Sequence, residues 1–175
     1  SLGDKADPER DRITVDGAPI PRREAHIYLM LHKPRGCVTT LSDEKNRPTA
    51  AELVRDCGGR VYPVGRLDMD SEGLLLLSND GDLIQAMMKG ANRHEKEYLV
   101  RVNREIAPEF LERLAGGVYL EELDGTTREC LVEQVDRFAF RMVLTQGVNR
   151  QIKRMCRACG YHVRALKRVR VMHVT

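Results

Sequence analysis

The chain has 175 residues, room for one compact domain or two small ones sharing a cleft. Apolar residues make up 42% and charged residues 31%, so a disordered or fibrous chain is excluded; no apolar run is long enough to span a bilayer, and no signal peptide is visible. The formal net charge of +3 is too small to name a partner, so the placement of charge along the chain has to do so.

Residues 1–12 are polar and charged and read as a leader. Ile13 to Ile20 reads as a short strand pair turned at Asp16-Gly17. Ile27 to Leu31 suits a buried strand that ends at the turn His32-Lys33-Pro34-Arg35-Gly36. A polar loop follows to Pro48, then a short helix over Ala50 to Arg55 stopped by Gly58-Gly59. Val61 to Val64 leads into a charged run, and Leu74 to Leu77 reads as a core strand. Asp80 or Asp82 caps a helix over Leu83 to Lys89. Lys96 to Val102 alternates as a strand, with Tyr98, Val100 and Val102 on one face. Pro108 opens a helix to Leu114 that Gly116-Gly117 closes. Arg128 to Val135 and Phe138 to Leu144 pair around Asp136-Arg137. Asn149 caps a helix to Cys159, Gly160 ends it, and one or two basic strands finish the chain. Strands do not alternate with long helices. An α+β fold with a mixed or mainly antiparallel sheet is expected.

From Val148 onward the chain carries Arg150, Lys153, Arg154, Arg157, Arg164, Lys167, Arg168 and Arg170 and no Asp or Glu. Such an uncompensated stretch is a candidate polyanion contact. Within it Arg150, Lys153, Arg154 and Arg157 recur at helical spacing beside an apolar face of Ile152, Met155, Cys156 and Cys159. The five cysteines are odd in number and irregular in spacing, against a disulfide framework and in keeping with a reducing cytoplasm. Cys156 and Cys159 are read as apolar helix positions rather than zinc ligands.

The run Gly65-Arg66-Leu67-Asp68-Met69-Asp70-Ser71-Glu72-Gly73 packs four charges between two apolar strands. A core strand would not hold them unpaired, so the run is a site loop or an exposed charged turn. Its carboxylates suit a Mg²⁺ site, a glycosidase-like pair, or one carboxylate attacking a base or sugar beside a controlling cation. It is neither a phosphate-binding Walker loop nor an EF-hand.

Gly65 to Gly73 followed by Leu74-Leu75-Leu76-Leu77-Ser78-Asn79-Asp80-Gly81 resembles the catalytic signature of the bacterial pseudouridine synthases that modify ribosomal RNA. Lys96-Glu97-Tyr98-Leu99-Val100 resembles their second motif, Gly147 to Met155 their third, and His32 to Gly36 the entry to their catalytic domain. The likeness runs from about residue 25 to the end and is to the branch shared by the small-subunit enzyme and several large-subunit ones. It implies the pseudouridine synthase fold over 25–175, a mixed, mainly antiparallel sheet with flanking helices and a central active-site cleft. Residues 1–24 then form a leader and the remnant of a link to an N-terminal S4-like RNA-binding domain.

The resemblance implies that Asp68 is the catalytic aspartate and that Tyr98 packs against the target base and can assist proton transfer. It puts Lys153 where relatives place a cation, usually arginine, beside the aspartate; lysine keeps the charge and loses the planar fork. Arg66, Arg150, Arg154, Arg157, Arg164 and Lys167 are expected to contact RNA. No cofactor or metal is implied, nor a membrane or an obligatory protein partner. The implied substrate is structured RNA with a flipped uridine, 23S ribosomal RNA ahead of small-subunit RNA, with transfer RNA as a second target. The segment Gly90 to Glu95 carries the preference for the large subunit. A noncatalytic RNA-binding module and a metal-dependent nuclease are the rival readings.

Overall fold

The computed structural model describes residues 14–19, 25–89 and 93–175. The leader, Ile13, Ile20 and Gly90 to Asn92 lie outside the described residues. Thr14–Val15 (β1) and Ala18–Pro19 (β2) pair antiparallel around Asp16 and Gly17, both at positive φ, which is the mirror-image turn that suits strand twist.

The main sheet runs in the order β3 (Tyr28–Lys33), β5 (Glu72–Ser78), β11 (Val163–Val171), β6 (Lys96–Val102), β10 (Ala139–Leu144), β9 (Leu131–Asp136). The short β4 (Tyr62–Pro63) pairs with the far end of β5. All pairings are antiparallel except β5 with β11, so the expected mixed, mainly antiparallel sheet is present. β6 begins and ends where alternation placed it, with Val100 and Val102 buried. The stretch expected as a buried strand is an edge strand, because β5 is its one neighbour along the sheet. Tyr28 and Met30 remain 59% and 67% exposed. A small sheet of Tyr119–Leu120 (β7) and Gly125–Thr126 (β8) stands apart.

The helices are α1 (Gly81–Met88), α2 (Pro108–Ala115) and α3 (Gln151–Ala158). α1 starts earlier than expected because the Asp80 carboxylate accepts the Leu83 N–H. The helix expected over Ala50 to Arg55 is a single 3-10 turn, Glu52–Val54. Thr49 and Glu52 cap each other there, but the chain reaches Gly58 before a second turn forms. α3 is capped differently from the expectation. Arg150, not Asn149, occupies the cap, in left-handed backbone (φ 51°), and Gln151 folds back to accept the Val148 N–H. Gly160 (φ 77°) ends the helix as expected.

Two hydrophobic clusters form the core. One joins Val100, Val102, Phe110, Leu114, Phe140, Met142, Ile152, Met155, Cys156 and Leu166; the other joins Cys37, Ala50, Val61, Leu75 and Leu77. The register Gly73↔Arg168↔Tyr98 puts Leu75 and Leu77 on the same sheet face as Val100 and Val102. One face therefore carries both clusters, and the parallel seam between β5 and β11 divides them.

That seam is short, with Lys167↔Glu72 and Arg168↔Gly73 as its register pairs. Gly73 makes it possible: its φ is +107°, and a Cβ there would lie 2.2 Å from the Arg168 carbonyl oxygen. Gly73→Ala should cost about 3 kcal/mol or more. Urea unfolding should show a clear fall in midpoint, and an unchanged midpoint would mean the strands can part without cost.

Candidate active site

The Gly65 to Ser71 loop crosses from β4 to β5 above the seam. Its shape comes from backbone hydrogen bonds. Ser71 N–H donates to Asp68 O at 3.0 Å, closing a turn, and Gly36 N–H donates to Met69 O at 2.7 Å. Thr39 holds Leu67 from both sides: its hydroxyl donates to Leu67 O (2.7 Å) and accepts the Leu67 N–H (3.2 Å). Leu67 is buried, which anchors the loop and turns Asp68 outward. Arg168 spans the loop's two ends from below, donating through Nε to Leu74 O at 2.7 Å and through Nη1 to Arg66 O at 3.3 Å.

α3 supplies the opposing wall. Its apolar face, Ile152, Met155 and Cys156, is buried in the first cluster, as the helical spacing indicated. Burial pushes the Cys156 thiol up to about 12, with Cys159 adding to the shift; Cys156 is buried in the first cluster and Cys159 packs partly buried against it. The polar face turns Lys153 to the loop. Its Nζ lies 3.2 Å from Asp68 Oδ2, donates to Ser71 Oγ at 3.2 Å and bonds Asp70 Oδ1. Arg150 stands 3.6 Å from Asp68 and 3.5 Å from Asp70. A carboxylate from one half of the molecule thus meets cations from the other half, 82 to 85 residues along the chain. The start of α3 adds the positive end of a helix dipole.

Asp70 is not a spare charge. Partial burial opposes its ionisation, but the hydrogen bond and charge of Lys153, with the charge of Arg150, hold its carboxyl below the usual carboxylate range. A carboxyl lowered on folding stabilises fully above its unfolded value, near about 4, and loses that contribution as pH falls through its folded value. Asp70 is 45% exposed, so the gain is under about 1 kcal/mol. Wild type should therefore melt slightly above Asp70→Asn at pH ~6, and the gap should close as pH falls through the folded value of Asp70. Thermal scans stepped down from pH ~6 check this, and a constant gap would count against it.

Tyr98 takes its place through register. It shares a rung with Arg168 and, beyond it, Gly73, and its side chain lies on the α3 face, partly buried against the first cluster. Two strand spacings, roughly 10 Å, separate its backbone from Gly73 at the loop's end. Among the described residues no hydrogen bond joins its hydroxyl to Asp68.

The expected RNA-contact residues do not form one surface. Arg66, Arg157 and Arg164 are exposed. Arg154 reaches Asn149 Oδ1 at 3.4 Å. Arg150 is drawn into the aspartate pair. Lys167 pairs with Glu72 and Leu99 and so points to the opposite sheet face from Tyr98. Two other basic residues of the tail are not free either. Arg168 is 2% exposed, and Arg170 binds Glu97 and Glu95 at 2.7 and 3.0 Å.

Sequence reasoning missed Thr39, Ser71 and Arg168 as parts of the site. A lone threonine 28 residues from its partner leaves no pattern, and Arg168 sat in a basic run that read as surface.

A family model for RNA pseudouridylate synthase matches residues 27–158. The chain belongs to the RNA pseudouridylate synthase family. It is 42% identical over 177 aligned residues to the dual-specificity RNA pseudouridine synthase RluF of Escherichia coli strain K12, covering 100% of this chain and 59% of that protein. It is 34% identical over 162 residues to the ribosomal large subunit pseudouridine synthase B of Bacillus subtilis strain 168, covering 90% and 66%. A crystal structure of a pseudouridylate synthase superposes with a TM-score of 0.79 at 28% identity, over 98% of this chain and 73% of that one. The pseudouridine synthase fold expected from the motifs is therefore the fold observed. The chain spans under two thirds of the length of the RluF relative.

Proposed function

We propose that the chain isomerises a uridine to pseudouridine in ribosomal RNA, with Asp68 as the catalytic residue, Tyr98 against the base and Lys153 as the counter-charge of Asp68. The observation that carries this is the Asp68–Lys153 contact across the cleft, 3.2 Å long and built from two halves of the sequence. The reaction breaks the C1′–N1 bond, turns the uracil and joins C1′ to C5. The C5 proton leaves and N1 gains one, so no electron or phosphate acceptor is needed. In this reading the Asp68 carboxylate, with Lys153 and Arg150 beside it, attacks C1′ or takes a ribose proton.

The target nucleotide must leave its stack to reach Asp68, and Tyr98 offers the face that receives it. Arg154 and Arg157 on α3, with Arg66 and Arg164, supply phosphate contacts that register the RNA without reading its bases. The names of the relatives favour large-subunit ribosomal RNA, and the dual specificity of one of them leaves room for a second substrate such as transfer RNA. Such a substrate places the protein in the cytoplasm; among the described residues no helix is long and apolar enough to cross a membrane.

A Mg²⁺-dependent nuclease fits this loop poorly, because Lys153 and Arg150 already occupy the space in front of both carboxylates. The deciding experiment maps pseudouridine in RNA from cells lacking the gene, with and without its return, and repeats the reaction in vitro with EDTA. Restored, EDTA-insensitive pseudouridine at a defined position supports the proposal. RNA cleavage that EDTA abolishes, or no change at any uridine, overturns it.

A further inference from the structure

Two basic side chains beside the cleft take no part in the Asp68 network. Arg168 is buried, and while its Nε and Nη1 reach backbone carbonyls, its Nη2 has no hydrogen-bond partner among the described residues. Lys96 precedes Tyr98 by two residues on β6, so both side chains project from the same face. Among the described residues its Nζ makes one hydrogen bond, a long one of 3.4 Å to His94 O. The nearest acidic residues in sequence, Glu95 and Glu97, are both engaged by Arg170. Arg168 pairs in register with Tyr98, one strand repeat from Lys96, and burial with the like charge of Arg168 pushes the Lys96 amine below its ordinary value.

A third cation, Lys33, is fully buried and is held by the carbonyls of Pro34 and Cys37 at 2.9 and 2.7 Å. Asp68 and Asp70, the carboxylates that favour its charge, are already paired with Lys153 and Arg150. Positive charge therefore exceeds negative charge on this face. Unpaired buried charge is costly, and a fold that keeps it provides a seat for an incoming anion.

The structure assigns Lys96, backed by Arg168, as the seat of a phosphodiester next to the flipped uridine. This rests on the proposed function. Lys96 is only half-buried and can meet the anion, while Arg168 supplies charge from behind. One strand repeat, roughly 7 Å, separates Lys96 from Tyr98, so a base held against Tyr98 brings its own backbone to Lys96.

The test uses an RNA stem-loop whose linkage on either side of the target uridine is replaced by an uncharged methylphosphonate. With wild type, one of the two replacements should raise KM about tenfold, the loss of one charge-assisted contact. Lys96→Met should raise KM for unmodified RNA by a similar factor, with kcat within about threefold, and lower the salt slope by about one. The sensitive methylphosphonate should then cost this variant nothing more, and Lys96→Arg should restore most of the affinity. Equal methylphosphonate penalties in wild type and Lys96→Met, or an unchanged salt slope, would overturn the assignment. The wild-type half needs no variant to fold: an active enzyme indifferent to both replacements removes the phosphate seat alone. A wild type that makes no pseudouridine in any RNA removes the proposed function and the seat with it.

Discussion

Asp68→Asn is expected to lower pseudouridine formation by at least about 10⁴-fold, the scale of losing a residue that acts on the reacting atoms. Asparagine has the same shape but can neither attack C1′ nor take a proton. The fold should survive. The turn that carries residue 68 is closed by backbone groups, Leu67 anchors it from within the core, and Lys153 keeps Asp70 and Ser71. Single-turnover assays on a substrate stem-loop, run beside thermal unfolding, separate the two effects. The unfolding midpoint should stay within a few degrees. Undiminished product from the variant would leave the protein as an RNA-binding module with Asp68 outside its chemistry.

Lys153→Met is expected to cost about 10² to 10³-fold in kcat, the range for removing one preorganised electrostatic partner. Lys153 is 15% exposed and joins Asp68 to Asp70 and Ser71. Methionine keeps much of the volume but leaves two neighbouring carboxylates without their closest cation, Arg150 standing 3.6 Å from Asp68 and 3.5 Å from Asp70. Lys153→Arg should stay within about tenfold of wild type, because a guanidinium can bridge both carboxylates. KM should move little in either variant, since the pair acts on the aspartate rather than on RNA phosphates. Equal kcat in all three proteins would show that no cation is needed at this position.

The two variants also separate what the ion pair does from what the loop does. If Asp68→Asn and Lys153→Met both fold and both fail, the chemistry resides in the contact between the halves. The scaffold, by contrast, is tested at the seam, where Gly73→Ala perturbs Arg168 and through it the carbonyls of Arg66 and Leu74.

Much of this protein was legible along the chain. Period-two alternation placed β6 and the face of Tyr98, helical spacing separated the buried and polar faces of α3, and Asp80 was one of two caps offered for α1. These are local properties, set by backbone geometry that repeats every two or 3.6 residues. The charged loop was legible as a loop because its carboxylates could not be buried alone, and its long motif match carried the family. The cap of α3 was less legible. Asn149 has the better capping side chain, yet the left-handed turn at Arg150 points that arginine at Asp68 and Asp70.

Local spacing along the chain marked the apolar faces and the charged loop. Which charges meet was set by the fold. Register across the β5–β11 seam put Gly73, Arg168 and Tyr98 on one rung and turned Lys167 to the other face. The same fold buried Arg168, one of the basic residues of the candidate polyanion contact, and brought Lys153 to Asp68 from 85 residues away. A pairing at that separation leaves no periodic trace, because it depends on how the sheet's two halves join rather than on local spacing.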